Sequence, residues 1–285
     1  MDARTIDPNI QLTGTTAVVT GANSGIGFVT ARELARAGAH VILACRNHAK
    51  AQDAILSIKK DVHTASLEFL SLDLSSLASV RQAIPQLCER QAPIDILVNN
   101  AGLAGGRGHT ADGYELAFGV NHLGHFALTL GILDAIRDGG RIVNVSSVAH
   151  YRVKRINWNT LRHPKKLRTG FAEYAVSKLA NVLFTARLAR ELAPRRIDCY
   201  GLHPGVIASD VWRNVPFGIR HVIKQFMISN DDGARTTLYC ATAPEVKGAS
   251  GLYWDTCKPK TPSTLARDTA LQNELWNRSL EWTAS

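Results

Sequence analysis

Short apolar runs alternate with helix-patterned stretches along most of the chain. The runs are TTAVVT from Thr15, AHVILA from Ala39, LEFLSL from Leu67, IDILVN from Ile94, RIVNVS from Arg141, IDCYGL from Ile197 and SGLYW from Ser250. Each is nearly continuous in apolar character, as strands covered on both faces are. The segments between them are long enough for crossover helices. In FVTARELARAG, Val29, Leu34 and Ala37 can line one helical stripe while Arg32, Glu33 and Arg36 face water, and Gly38 ends the helix. In the tail, Leu265, Leu271, Leu275, Trp276, Leu280 and Trp282 recur at helical spacing. They predict a C-terminal helix packed on the domain or on a neighbouring subunit. The fold class that follows is α/β, a single Rossmann-type doubly wound parallel sheet with helices on both faces. No Pro/Gly/Ser-rich linker divides the chain, so residues 1–285 are read as one domain. Within it, 1–14 form an N-terminal extension, 148–173 an insertion and 207–228 a lid.

Composition adds bounds. Hydrophobic residues make up 45% and charged residues 20%, enough for a core and against extensive disorder. With Asp2, Arg4, Asp7 and Pro8 among them, the first residues are expected to be neither a signal-peptide core nor an anchor. No later run approaches the roughly 18 apolar residues that a membrane span requires. Cys45, Cys88, Cys199, Cys240 and Cys257 are odd in number and form no Cys-x-x-Cys pair, which suits a reducing, cytoplasmic compartment.

The net charge of +9 has a local source. Arg152, Lys154, Arg155, Arg162, Lys165, Lys166 and Arg168 follow one another with no acidic residue between them. This basic insertion reads as a solvated surface segment, with an anionic substrate, a membrane surface or a partner as the alternatives. Nucleic acid is not expected, because Trp158 is the lone aromatic interleaved there and no nucleic-acid motif is present.

Candidate chemistry begins after the first run. Gly21, Gly25 and Gly27 lie in TGANSGIG with the spacing G-x-x-x-G-x-G, between a predicted strand and an amphipathic helix. Backbone without Cβ lets a pyrophosphate approach a helix N-terminus, so the segment predicts dinucleotide binding. At the end of the second run, Cys45 and Arg46 occupy the place where an acidic residue would bond ribose hydroxyls. A guanidinium suits a 2′-phosphate and predicts NADP(H), the alternative being that Arg46 caps the strand end in solvent. Tyr174 and Lys178 stand four residues apart and would share a helix face. A cation there favours phenolate, which would bring a tyrosine of ordinary pKa about 10 toward neutral-pH proton exchange.

Seven features now fall in order: TGANSGIG at 20–27, Asp73 in SLDLS, NNAG at 99–102, Asn121 in VNHLGHF, NVSS at 144–147, YAVSK at 174–178, and Pro204 with Gly205. Over nearly its whole length the chain resembles the short-chain dehydrogenase/reductase family. The likeness is closest to retinol dehydrogenases and the oxidoreductase domain of the WW-domain-containing oxidoreductase, through ACRN, VNHLGHF, SKLANVLF and HPGV. The resemblance implies a catalytic set. Ser147 would bond the substrate oxygen and Tyr174 would exchange its proton. Lys178 would hold the nicotinamide ribose and lower the Tyr174 pKa, and Asn121 would tether a water leading to Lys178. It also implies cofactor contacts from Gly21, Asn23, Ser24, Gly25, Ile26, Gly27, Arg46, Asp73, Leu74, Asn100, Ala101, Gly102, Tyr174, Lys178, Pro204, Gly205, Val206 and Ser209. Asp73 would bond the adenine amine or, alternatively, serve as an N-cap. Ser209 stands where the family usually has threonine. Ser146 competes with Ser147 and reads as structural. Nothing pairs His122, His125 or His203 with a nucleophile or a metal pattern, so they read as core or surface histidines, and no metal is expected.

The substrate side rests on two segments. Residues 148–173 would fold beside the active site. In 207–228, Trp212, Val215, Phe217, Ile219, Val222, Ile223, Phe226 and Met227 form an apolar, helix-compatible lid with Arg220 and Lys224 on its polar side. Such a lid suits a lipophilic substrate such as a retinoid, steroid, polyketide-like compound or aldehyde, or else packs as an ordinary amphipathic helix, and it leaves a peripheral membrane contact open. Family members form homodimers or homotetramers, which the resemblance extends to this chain. The competing reading is a catalytically silent NADPH-binding regulatory or scaffold protein.

Overall fold

All seven apolar runs become strands, because each can bury both faces in a parallel sheet. In the computed structural model, which describes residues 6–7, 9–104, 108–162, 170–205 and 229–284, they are β1 (Thr16–Thr20), β2 (His40–Cys45), β3 (Ser66–Ser71), β4 (Ile94–Asn99), β5 (Ile136–Val145), β6 (Asp198–His203) and β7 (Tyr253–Asp255). An eighth, β8 (Lys258–Pro259), completes one sheet in the order β3-β2-β1-β4-β5-β6-β7-β8. β8 alone is antiparallel, with Trp254 opposite Pro259 and Asp255 opposite Lys258. Sequence pattern does not announce it. The connecting Thr256 and Cys257 take φ 50° and 59°, a left-handed pair that hairpins usually fill with Asn and Gly.

The helices are α1 (Gly25–Arg36), α2 (His48–Asp61), α3 (Leu77–Cys88), α4 (Leu116–Phe118), α5 (Gly124–Gly131), α6 (Trp158–Arg162), α7 (Phe171–Leu192), α8 (Asn230–Thr242) and α9 (Thr269–Thr283), with a π turn over Gly119–Leu123 between α4 and α5. Strand alternation divides them into two layers. Ala17 and Val19 of β1 pack with Val29 and Leu34 of α1 and Leu238 of α8. Val18 points the other way, into a core with Val80 of α3, Phe126 of α5, Leu188 of α7 and Trp276 of α9. The ring of Trp276 meets that of Phe126 at 5.3 Å and stacks on Phe184 at 6.1 Å, so the C-terminal helix packs on this domain's own core.

One expectation about α1 fails. Glu33 does not face water but is 6% exposed, ion-paired with Arg32 at 2.7 Å and also with Arg36. The cause is α8, which packs along α1 and places Asp231 against Arg32. Gly38 ends the helix at φ 98°, a conformation that L side chains rarely adopt.

The insertion is packed in part rather than wholly solvated. Arg162 stacks over Tyr114 at 4.3 Å, Arg152 over Phe171 at 5.5 Å, and Trp158 meets Trp282 at 6.1 Å. Lys165, Lys166 and Arg168, the lid at 207–228, Val206 and Ser209 lie outside the described residues. Among the described residues no helix is long and apolar enough to cross a membrane.

Candidate active site

Strand order reverses between β1 and β4, and open α/β sheets bind ligands at the crevice such a reversal leaves at the carboxyl ends of the strands. A cleft of about 930 Å³ lies there. Every described residue predicted for the site lines it, from Gly21 and Ser24 through Arg46, Asp73 and Asn100 to Ser147, Tyr174, Lys178 and Gly205, with the exception of Asn121.

Its first part is built by glycines. Gly21 and Gly25 take φ 66° and 58°. A Cβ on Gly27 would collide with the Gly21 carbonyl and the Asn100 amide, so the absent side chain serves the protein's own packing as well as access to the helix end. Ser24, the N-cap of α1, makes no side-chain capping bond, and no acidic residue occupies the first turn. Orphan N–H groups and the positive end of the helix dipole therefore face the cleft, the arrangement an anionic pyrophosphate fits.

At the adenosine end Cys45 is buried, and loss of solvent pushes its thiol up to about 11. Arg46 extends into solvent, its side chain 73% exposed and 3.8 Å from Asp73. Asp73 is not the N-cap of α3; that is Ser76, which accepts from Ser79 N. Asp73 instead braces the preceding turn, accepting from Ser75 N at 2.9 Å and Ser75 Oγ at 2.6 Å, and its other oxygen faces Arg46. Lys50 lines the same region and escaped the sequence reading. The available signal was a cation in the first turn of α2, where the helix dipole disfavours it.

At the other end β5 delivers Ser146 and Ser147. Ser146 Oγ donates to the Lys178 carbonyl at 2.6 Å, a tie between β5 and α7. Ser147 Oγ accepts from Ala149 N at 3.2 Å and is hydrogen-bonded with the Tyr174 phenol. Lys178 Nζ donates to the Val145 carbonyl at 2.9 Å and lies 5.8 Å from the Tyr174 ring centre. Burial lowers Lys178 to about 8. Burial likewise raises Tyr174 above its ordinary value, with the Ser147 bond acting against it. The net direction is opposite to the expected depression, because taking the phenol out of water penalises phenolate.

Asn121 stands behind this surface on the π turn. Its Oδ1 accepts from Leu103 N at 2.9 Å, and its Nδ2 donates to the Leu103 carbonyl at 3.0 Å and to Ser177 Oγ at 2.9 Å. A Cβ on Gly102 would lie 3.3 Å from Asn121 Oδ1 and 3.4 Å from Lys178 Nζ, so a side chain there would crowd both. His122 and His125 are buried in the core and held neutral, at about 3 and about 4. His203 is 7% exposed and lines the cleft beside Pro204 and Gly205, rather than lying in the core or on the open surface. Among the described residues no His, Cys, Asp and Glu group could hold a metal.

A family model described as short chain dehydrogenase matches residues 15–161. Over 278 residues the chain is 40% identical to retinol dehydrogenase 12 of Mus musculus, spanning 96% of this chain and 87% of that protein. It is 39% identical over 281 residues to the WW domain-containing oxidoreductase of Gallus gallus, spanning 94% and 68%. An uncharacterised protein from Mycobacterium paratuberculosis has a similar solved structure, with TM-score 0.79, 34% identity and coverage of 96% and 95%. A blue fluorescent protein from a metagenomic library, solved in complex with NADPH, matches with TM-score 0.69 and 27% identity over 86% of this chain and 97% of that one.

Proposed function

The chain belongs to the short-chain dehydrogenase/reductase family, and from that premise we propose that it is an NADP(H)-dependent oxidoreductase interconverting a carbonyl and an alcohol on a lipophilic substrate. The observation that carries the reading is the convergence of Ser147, Tyr174 and Lys178 at one end of a cleft that begins at the uncapped N-terminus of α1.

A bound nicotinamide would supply the reducing equivalent. The protein's own residues do the rest. As charge develops on the substrate oxygen, Tyr174 gives its hydroxyl proton and Ser147 supports that hydroxyl by hydrogen bonding, so both act where charge appears in the transition state. A phenol raised by burial stays protonated at neutral pH, which favours its role as proton donor in reduction. Lys178, charged below about pH 8, would hold the ribose side of a bound cofactor. Asn121 fixes the Leu103 backbone and through it the wall of the cleft.

Arg46 at the end of β2, with no carboxylate at the adjacent Cys45, supports NADP(H), and Lys50 adds a second cation for a 2′-phosphate. Leu103, Leu116, Val120, Val148 and Phe171 line the cleft and support an apolar substrate of the retinoid, steroid, polyketide-like or aldehyde class. The reading extends to one domain over 1–285 acting as a homodimer or homotetramer in a reducing, cytoplasmic setting, which five free cysteines suit.

The test is oxidation of NADPH, with NADH in parallel, against retinal, steroid ketones, medium-chain aldehydes and quinones, for the native chain and Arg46→Asp. The native chain is expected to turn over with NADPH. The variant should lose about 10-fold or more in NADPH affinity, as expected for a charge-assisted bond, and gain in NADH use. An unchanged preference would remove the phosphate role, and no turnover with any carbonyl would count against the reaction class.

A further inference from the structure

His125, on the first turn of α5, is 2% exposed and has both ring nitrogens engaged. Nδ1 lies 3.0 Å from the Asn121 carbonyl oxygen and Nε2 lies 2.8 Å from Thr20 Oγ1. A carbonyl can only accept, so Nδ1 carries the hydrogen. The ring is neutral, because burial lowers it to about 4, and Nε2 therefore presents a lone pair. The Thr20 hydroxyl must then donate to it, a shorter bond than the 3.4 Å separation from the Val98 carbonyl. With its proton so directed, Thr20 Oγ1 accepts the backbone N–H of Asn100 and of Ala101, each at 2.9 Å.

The same chain of bonds continues beyond Asn121. Asn121 Nδ2 donates to Ser177 Oγ at 2.9 Å, and the Ser177 hydroxyl donates to the backbone carbonyl of Tyr174 at 2.8 Å. Four segments distant in sequence are thus joined: the end of β1, the loop after β4, the π turn, and the turn of α7 that bears Tyr174. Asn100 N and Asn121 Nδ2 each also meet a carbonyl, of Val98 and of Leu103, but the donor and acceptor roles of His125, Thr20 and Ser177 are fixed by their partners, and a buried polar group left without its partner is costly. The series is therefore highly determined, and His125 is its sole bridge between Thr20 and the π turn among the described residues.

We propose that His125 is a positioning residue, holding the Asn100–Gly102 loop and the Tyr174 turn of α7 in one frame through Thr20 and Asn121. The proposal rests on the oxidoreductase reading for its kinetic consequence, since the loop borders the cofactor end of the cleft and Tyr174 the reacting end. A small misplacement between them lowers turnover more than binding.

The experiment compares His125→Phe, which keeps ring bulk and loses both bonds, with His125→Asn, whose amide can replace the Nδ1 donor, and with Thr20→Val. Three quantities are read: NADPH affinity, kcat against KM, and hydrogen exchange of the Asn100, Ala101 and Leu103 amides. His125→Phe should lower kcat about 10- to 100-fold with KM changed far less, and should speed exchange of those amides. His125→Asn should recover part of both effects. Thr20→Val should reproduce the loss, and the double variant His125→Phe with Thr20→Val should lose less than the sum of the two single losses. Native kcat or native exchange in His125→Phe would overturn the proposal, as would His125→Asn behaving no better than His125→Phe. If His125→Phe does not fold, Thr20→Val against Thr20→Ser decides: loss in the first with retention in the second supports the frame, and equal behaviour refutes it. Hydrogen exchange needs no turnover, so a failure of the oxidoreductase reading would be seen separately in the native chain.

Discussion

Lys178 and Tyr174 are both moved by burial, and in directions that set a pH window. Lys178 falls to about 8 and Tyr174 rises. In reduction the phenol is protonated throughout neutral pH, so the group that limits the alkaline side is the ammonium. kcat/KM, which reports the free enzyme, should be level at neutral pH and decline with a single-proton slope above about pH 8. A profile level to pH 9.5 would remove the charged lysine from the account. At this scale the sequence was informative wherever spacing implies contact: four residues on a helix bring Tyr174 and Lys178 together, and glycine spacing after a strand marks the helix end. It was silent wherever contact depends on distant segments. His203 adjoins the predicted Pro204–Gly205 pair and Lys50 follows Arg46 by four residues, but it takes the folded arrangement to turn both onto the same cleft, and the raised Tyr174 follows from enclosure, which no local pattern encodes.

Among the elements, α4 is three residues long and capped by a buried carboxylate. Glu115 accepts from Ala117 N at 3.0 Å and Phe118 N at 2.7 Å, yet burial carries its pKa up to about 7. The folded state therefore binds the proton more tightly than the unfolded chain, whose value is 4.5. Stability from this group is complete below that value and is lost as pH rises through about 7. Between pH 5 and pH 8 the native chain should lose on the order of 2 kcal/mol more than Glu115→Gln in chemical denaturation. Parallel stability curves for the two would contradict this. The seven parallel strands were legible because continuous apolar runs between helical stretches have few other structural solutions. β8 was not, since Thr256 and Cys257 adopt left-handed conformations without the residues that usually signal them.

For the molecule as a whole, the site is a consequence of topology. The strand order reverses between β1 and β4, and the loops after both, with those after β5 and β6, open onto one cleft. Doubly wound order was readable from alternation, and with it the edge of the sheet where a ligand belongs. The packing of α8 over α1 was not, because the Arg32–Asp231 ion pair joins residues some two hundred positions apart and leaves only a polar pattern in the sequence. The central claim is that Tyr174 supplies the proton while other residues hold the cofactor. The most direct test is Tyr174→Phe, measured for NADPH affinity and for carbonyl turnover on the same preparation. The account predicts affinity within a few-fold of native and turnover lower by about 100-fold or more, the range expected for loss of a general acid. Turnover close to native with intact binding would contradict it.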